Sequence, residues 1–281
     1  MSAGFPATGP MLVRQVDYQV RTFCRTPIAV FFTIALPLIM LVLFNALFGD
    51  STVDTGSGSW PLSQFYVAGL AAFTAVSATF TNLANTVPIR RDEGVLKRWR
   101  GTPLPAWTYL AGLIGSTIVL ALAGVITMLA LGVVAYDLEI EAVKVPAMIL
   151  TFLVGVASFA ALGMAVAGLC PSASAASAVA NAIVLPMAFV SDVFIAIEDP
   201  PAWLDTIGDV LPLKPFVQSF QDTLNPAVDA PAFRWGAMAR VATWGVIGLV
   251  VALRWFRWEP SRGGSTPRRR ARRRASSAEQ S

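Results

Sequence analysis

The sequence contains no histidine, only two cysteines, and few charged residues for its length. Charged side chains make up 14% of its 281 residues, about half the share expected of a soluble domain. Without histidine, imidazole metal sites and Ser-His-Asp or Cys-His catalytic centres are excluded. Cys24 and Cys170 are too far apart for a CxxC motif and too few for a zinc cluster.

A Gly-Lys-Ser/Thr triplet is also missing, and with it the phosphate-binding loop of P-loop ATPases. Energy for any work done by this chain must therefore come from another chain or from an ion gradient. Converging acids, serine–base pairs and metal ligands are absent from the apolar segments as well. We therefore expect neither a membrane-embedded enzyme nor a cofactor bound by this chain.

Long, nearly uncharged apolar segments dominate the chain instead. The mean hydropathy is +0.62, and a membrane-spanning helix needs about 20 apolar residues. Six segments meet this length: residues 28–48, 65–87, 109–136, 145–169, 173–197 and 235–258. The first is too long for a signal peptide, and no small-x-small cleavage site follows it. The sequence predicts an all-α polytopic membrane protein with a single six-span domain at 11–258, a flexible N-terminus at 1–10 and a disordered basic tail at 259–281.

The distribution of lysine and arginine predicts the orientation. Three basic residues precede the first span and none follows it, whereas the next connection, 88–108, has five. The third has one, the fourth none and the fifth two, while the segment from Arg257 onward has eight. By the positive-inside rule, both termini and the 88–108 connection lie in the cytoplasm.

Residues 12–25 have the pattern of an amphipathic helix ahead of the first span. Arg14, Arg21 and Arg25 cluster on one side with Asp17, and apolar residues occupy the other. Such a helix is expected to lie in the cytoplasmic interface with its apolar face against the acyl chains. An ordinary helix ending at Pro27 is the alternative.

The connection 88–108 is strongly charged and bounded by prolines. Pro88 is predicted to end the second span, and Pro103 and Pro105 to close the connection. At helical spacing its apolar and charged residues separate onto two sides, and only Asp92 falls on the wrong one. The apolar side comprises Ile89, Val95, Leu96 and Trp99, and the charged side Arg90, Arg91, Glu93, Lys97, Arg98 and Arg100. The pattern predicts an amphipathic cytoplasmic helix with a docking stripe, or a basic anchor that only fixes topology.

Two further segments lie outside the predicted bilayer core. Residues 198–231 contain six prolines and two short amphipathic stretches, which predict two helices resting on the outer leaflet or a passive external loop. The tail at 262–281 carries RRRARRR, a cluster expected to bind anionic lipid headgroups. With no folded domain behind this cluster, we expect no nucleic-acid binding.

Motifs in the cytoplasmic connection point to a family. Arg91-Asp92-Glu93-Gly94-Val95-Leu96-Lys97-Arg98 is followed by Thr102-Pro103-Leu104. This order resembles the signature of the type-2 ABC exporter permeases, in particular the daunorubicin-resistance branch. Supporting similarities are Arg25-Thr26-Pro27, Pro37 in the first span, Leu185-Pro186, and the segments 200–204 and 211–213. Asp192, Lys214 and the arginine-rich tail depart from the family pattern.

The resemblance implies the membrane subunit of an ATP-driven exporter in a bacterial cytoplasmic membrane. Two six-span subunits, identical or related, would pair and sit on two copies of a cytoplasmic ABC ATPase, which would bind ATP and Mg. The implied coupling residues are Arg90, Arg91, Asp92, Glu93, Gly94, Leu96, Lys97 and Trp99. Glu93 and Arg91 would make charged contacts to the ATPase. Leu96 and Trp99 would fill a groove on it, and Gly94 would permit a turn or a close approach.

The implied transport path runs between the first, second and fifth spans of the two subunits. Polar residues within spans usually face a cavity or another helix, and the candidates are Asn82, Asn85, Asn181 and Asp192. For the asparagines, interhelical hydrogen bonding is the alternative. The few charges in the spans favour a hydrophobic or amphipathic cargo, such as a drug, an antibiotic or a lipid-like metabolite, over a small ion.

Two other transporters remain as alternatives. A polysaccharide or glycolipid ABC exporter would favour rows of aromatic residues along the path. An ion-coupled secondary transporter would need a titratable group near the middle of the membrane, and Asp192 is the only carboxylate inside a predicted span.

Overall fold

The computed structural model describes residues 8–49, 51–54, 58–100, 106–194 and 201–256. For residues 8, 97, 99, 100, 106 and 107 it describes the backbone alone. The predicted basic tail at 259–281 and the first seven residues of the predicted flexible N-terminus lie outside the described residues.

Six helices within the described part of the chain are long and apolar enough to cross a membrane. Spans 1 to 6 are Pro27–Phe48, Leu62–Asp92, Ala106–Ala135, Val145–Leu169, Ala173–Val190 and Trp235–Trp255. The predicted all-α polytopic fold is confirmed. The predicted end of the fifth span at residue 197 was wrong, because Asp192 has a left-handed backbone (φ 55°) that interrupts the helix.

Span 2 is the central helix of the domain. In its most apolar stretch 83% of the residues are buried, against 17% in span 1, and it packs against spans 1, 3, 4 and 5. Pro88 does not end it, contrary to the prediction, and the helix continues to Asp92. A membrane helix tolerates one hydrogen bond lost to proline, and side-chain bonds from Arg90 and Arg91 to neighbouring spans hold its last turn in place.

Spans 4 and 6 form a close pair through small residues. Gly245 and Gly248 lie one turn apart on the buried face of span 6. A Cβ added at Gly248 would come within 2.8 Å of the Leu162 backbone nitrogen, and one at Gly245 within 2.9 Å of the Ser158 Cα. Such small residues allow two membrane helices to approach until their backbones nearly touch.

The N-terminal helix, Thr8–Cys24, lies along span 3. Gln15 and Val16 fill the space over Gly112 and Gly115, where an added Cβ would clash with them. Part of the apolar face predicted to enter the lipid is therefore covered by protein. The arginines of the opposite face, Arg14, Arg21 and Arg25, are all exposed, and the Arg21 Nε donates to the Asp17 carboxylate at 3.0 Å.

The segments at the other end of the bundle are more structured than predicted. Thr52–Asp54 and Ser59–Pro61 form a small antiparallel hairpin that the sequence did not predict. Of the two short helices, Ala202–Val210 and Leu213–Leu224, only the first is mostly exposed. The second packs against spans 2, 4 and 6, because the Phe216 ring enters the space left by Gly155. It is a core element rather than a helix resting on a surface.

Candidate functional site

A sharp turn follows span 2 at the end predicted to be cytoplasmic. Gly94 has φ 72°, a conformation that costs most residues with a Cβ about 1–2 kcal/mol. Its amide donates to the Arg91 carbonyl at 3.0 Å, and a new helix runs over Val95–Arg100. A Cβ at Gly94 would meet nothing within 4 Å. The left-handed backbone fits the turn predicted for this glycine, and the close approach to an ATPase stays a prediction.

Three consecutive residues fasten the end of span 2 to its neighbours. The Arg90 Nη1 donates to the Tyr109 hydroxyl of span 3 at 2.7 Å, and the guanidinium lies 5.8 Å from that ring's centroid. The Arg91 Nη1 and Nη2 donate to the carbonyls of Ala167 and Cys170 at 3.1 and 2.7 Å. Both carbonyls lie at the end of span 4, so Arg91 caps that helix.

Asp92 caps the following helix. Its Oδ2 accepts the backbone N–H of Ala173, the first residue of span 5, at 2.8 Å. Its position on the apolar side of the predicted amphipathic pattern thus has a reason, because the carboxylate faces the turn between spans 4 and 5. That turn lies 81 residues further along the chain.

Burial bears on the predicted coupling roles of two residues in this connection. Arg91 is 2% exposed and Leu96 is fully buried, with Leu96 packed in a cluster that includes Leu83, Val87 and Leu113. Neither side chain can reach an ATPase without rearrangement of the domain. Among the described side chains of this connection, those of Ile89, Asp92, Glu93 and Arg98 are exposed, while those of Lys97, Trp99 and Arg100 lie outside the described residues.

The predicted path asparagines have different environments. The Asn85 Oδ1 accepts from the Ser177 hydroxyl of span 5 at 2.5 Å, which is the interhelical hydrogen bond expected as the alternative. The Asn82 Oδ1 accepts from Thr86 in its own helix at 2.9 Å. Asn82 and Asn85 are half-buried in span 2, and Asn181 is exposed on span 5, whose apolar stretch is, after that of span 1, the least buried of the six.

Asp192 lies beyond the observed end of span 5, at the opposite end of the bundle from Gly94. Its Oδ2 accepts weakly from the Gln218 Nε2 at 3.4 Å. Burial raises the pKa of the Asp192 carboxyl, and the nearby Lys214 charge and the Gln218 bond offset this rise in part. Among the described residues, no three histidine, cysteine, aspartate or glutamate side chains converge as metal ligands would.

The raised pKa of Asp192 predicts a pH-dependent stability. The folded state holds this proton more tightly than the unfolded state. The contribution of Asp192 to the free energy of unfolding is therefore largest below the ordinary aspartate pKa, and it falls as the pH rises to the raised pKa of the folded state. We expect Asp192→Asn to unfold at a higher temperature than the parent at neutral pH, and the difference to shrink towards about pH 4. Thermal unfolding in detergent measures this, with the exposed Asp229→Asn as control. Equal stability of Asp192→Asn and the parent at neutral pH would contradict it.

A cluster that includes five aromatic rings near Asp192 was missed in the sequence. The five rings come from spans 1, 2 and 5 and the turn after span 5, with centroids 5.1 to 6.4 Å apart: Phe44, Tyr66, Phe73, Phe189 and Phe194. Most of the contacts are edge-on or tilted. The residues are scattered over 150 positions of sequence with no row in any one span, so only the fold brings them together.

Comparisons with known proteins agree with the geometry. The family model described as "ABC-2 type transporter" matches residues 14–225, which include most of the N-terminal helix, spans 1 to 5, the Gly94 turn and both short helices, Ala202–Val210 and Leu213–Leu224. The chain is 28% identical over 198 residues to the daunorubicin resistance ABC transporter permease protein DrrB1 of Streptomyces coeruleorubidus. That alignment covers 68% of this chain and 67% of the relative. The chain therefore belongs to the ABC-2 type transporter family and is a multi-pass membrane permease of that family.

Proposed function

We propose that this chain is the membrane subunit of an ATP-driven exporter that carries a hydrophobic or amphipathic compound out of the bacterial cytoplasm or the inner leaflet. ATP is hydrolysed by a separate subunit, because the sequence has no phosphate-binding loop. Two permease subunits, identical or related, pair on two ATPase subunits. Both termini lie in the cytoplasm, on the side where lysine and arginine concentrate.

The observation that carries the proposal is the turn at Gly94. It projects from the most buried span of the domain, so a force applied there acts directly on the centre of the bundle. Exposed charges at Glu93 and Arg98 supply contacts for a soluble partner. The buried Arg91 and Leu96 hold the turn from inside and leave the contact to these exposed residues.

The transport path in this proposal runs between the two subunits along spans 1, 2 and 5. Spans 1 and 5 have the least buried apolar stretches, 17% and 28%, and the polar residues Asn82 and Asn181 border them. Polar groups at membrane depth need a partner or water, which a second subunit and a path would both provide. The aromatic cluster lies at the outer end of this side.

The aromatic cluster is the one observation that favours a second candidate, a polysaccharide or glycolipid exporter. Sugars stack on open ring faces, however, whereas these rings mostly meet each other edge-on or tilted. Of the five side chains only Phe189, at 55%, is more than half exposed. The arrangement suits contact with an apolar or amphipathic molecule better than a row of sugar units.

Removal of the exposed charge at Glu93 is expected to weaken coupling. The chain is reconstituted in lipid nanodiscs with a candidate P-loop ABC ATPase, and ATP hydrolysis is compared with that of the ATPase alone. We expect Glu93→Ala to lose most of the permease-dependent stimulation, because it removes a charged contact without touching the domain interior. Glu139→Ala, an exposed glutamate at the other end of the bundle, is the matched control. Unchanged stimulation in Glu93→Ala would count against this contact.

A further inference from the structure

The turn between spans 4 and 5 presents two helix ends of opposite partial charge to span 2. Span 4 ends at Leu169 and span 5 begins at Ala173. The carbonyls at a helix C-terminus carry negative partial charge, and the N–H groups at an N-terminus carry positive partial charge. Arg91 is bonded to the first end and Asp92 to the second. Each charge therefore lies at the helix end that attracts it.

Burial and geometry make this double cap stiff. The Arg91 guanidinium is a planar fork whose N–H groups reach two carbonyls at once, and the side chain is 3% exposed. If the Arg91 guanidinium moved away, the carbonyls of Ala167 and Cys170 would stay buried without a hydrogen bond, which costs free energy. Asp92 adds to the cap of span 5 that Ser172 begins, whose hydroxyl accepts the Ala175 N–H at 3.3 Å.

The double cap lies directly beside the turn that receives the force in the proposed function. Only Glu93 separates Asp92 from Gly94, and the helix Val95–Arg100 begins at the next residue. The same two-residue stretch thus ends span 2, anchors spans 4 and 5, and adjoins the projecting turn. Sliding of span 2 relative to span 4 would break the two Arg91 hydrogen bonds together.

We propose that Arg91 and Asp92 are positioning residues that make the ends of spans 2, 4 and 5 move as one body when an ATPase acts on the Gly94 turn. This inference rests on the proposed function. It assigns to the acidic–basic pair an internal role in place of a contact with the ATPase. Without the pair, the turn would move span 2 while spans 4 and 5 lag behind.

The test compares two substitutions of Asp92 in the full complex with its ATPase in nanodiscs. In Asp92→Asn the side-chain oxygen can still accept the Ala173 N–H, because asparagine and aspartate cap helices about equally well. In Asp92→Ala that acceptor is gone. Hydrogen–deuterium exchange of the peptide that contains Ala173 reports the cap without any reference to activity. Permease-stimulated ATP hydrolysis reports the coupling.

We expect about fivefold faster exchange at Ala173 in Asp92→Ala, the scale of a lost helix cap, together with loss of stimulated hydrolysis. Asp92→Asn should keep both near the parent values. A second variant, Arg91→Lys, tests the other half of the pair. Its ammonium lacks the rigid planar fork that fixes the distance between both carbonyls, so it should also lose coupling while the complex still assembles. Arg254→Ala, an exposed arginine at the same end of the bundle, is the control.

Three outcomes would overturn the inference. Full coupling in Asp92→Ala despite faster exchange would remove the positioning role and leave the proposed function intact. Unchanged exchange in Asp92→Ala would show that the cap does not hold the start of span 5. A parent complex with no stimulated hydrolysis would remove the proposed function itself, and the inference with it.

Discussion

Gly94→Val is expected to abolish the stimulation of ATP hydrolysis while the permease still folds and inserts. At φ 72° a residue with a Cβ is strained by about 1–2 kcal/mol, and a β-branched residue by more. The turn would relax to another backbone conformation and carry the helix Val95–Arg100 away from its position. ATP hydrolysis in nanodiscs with the partner ATPase measures the effect.

Gly94→Asn is the matched control for this prediction. Asparagine is larger than glycine but tolerates the left-handed conformation, and the position has no neighbouring atom within 4 Å of an added Cβ. The two variants therefore differ mainly in backbone preference. We expect Gly94→Asn to retain most of the stimulation. Equal loss in both variants would contradict the backbone explanation and would indicate instead that the ATPase approaches closely at Gly94.

Gly248→Val is expected to destabilise the folded protein strongly. Its Cβ would lie 2.8 Å from the Leu162 nitrogen and 3.0 Å from the Ala161 carbonyl carbon. Because both are backbone atoms of a neighbouring span, they cannot move away by a change of rotamer. Overpacking of this kind costs about 1–3 kcal/mol, occasionally more. Thermal unfolding in detergent, followed by size-exclusion chromatography, measures the loss.

Gly236→Val provides the comparison within the same helix. A Cβ at Gly236 meets no atom within 4 Å, so the substitution is expected to change the unfolding temperature little. If Gly236→Val destabilised the protein as much as Gly248→Val, the close packing of spans 4 and 6 would not explain the effect.

The spans and the family could be predicted from the sequence because both depend on local signals. Runs of about 20 uncharged apolar residues identify membrane helices without any knowledge of packing. Span 4 begins and ends at the predicted residues, 145 and 169. The Arg91–Arg98 motif likewise lies in one contiguous stretch. The predicted charge contacts at Glu93, and the ATPase that would receive them, stay predictions.

Packing between distant segments could not be predicted in the same way. The amphipathic pattern of 88–108 indicated two faces, but not that spans 3 and 4 cover Leu96 and Arg91. The position of Asp92 on the apolar side was a signal of its distant partner, the Ala173 amide, and could be understood only once the fold was known. Similarly, the burial of Leu213–Leu224 depends on the space beside Gly155 in another helix.

The most direct test of the central claim is photo-crosslinking from the Gly94 turn to the ATPase. A photoreactive amino acid is placed at position 93 or, as control, at position 139, in cells that produce this chain together with the candidate ABC ATPase. The account predicts a crosslinked permease–ATPase product from position 93 and none from position 139. Absence of the product at position 93, in cells where the two proteins purify together, would contradict the account.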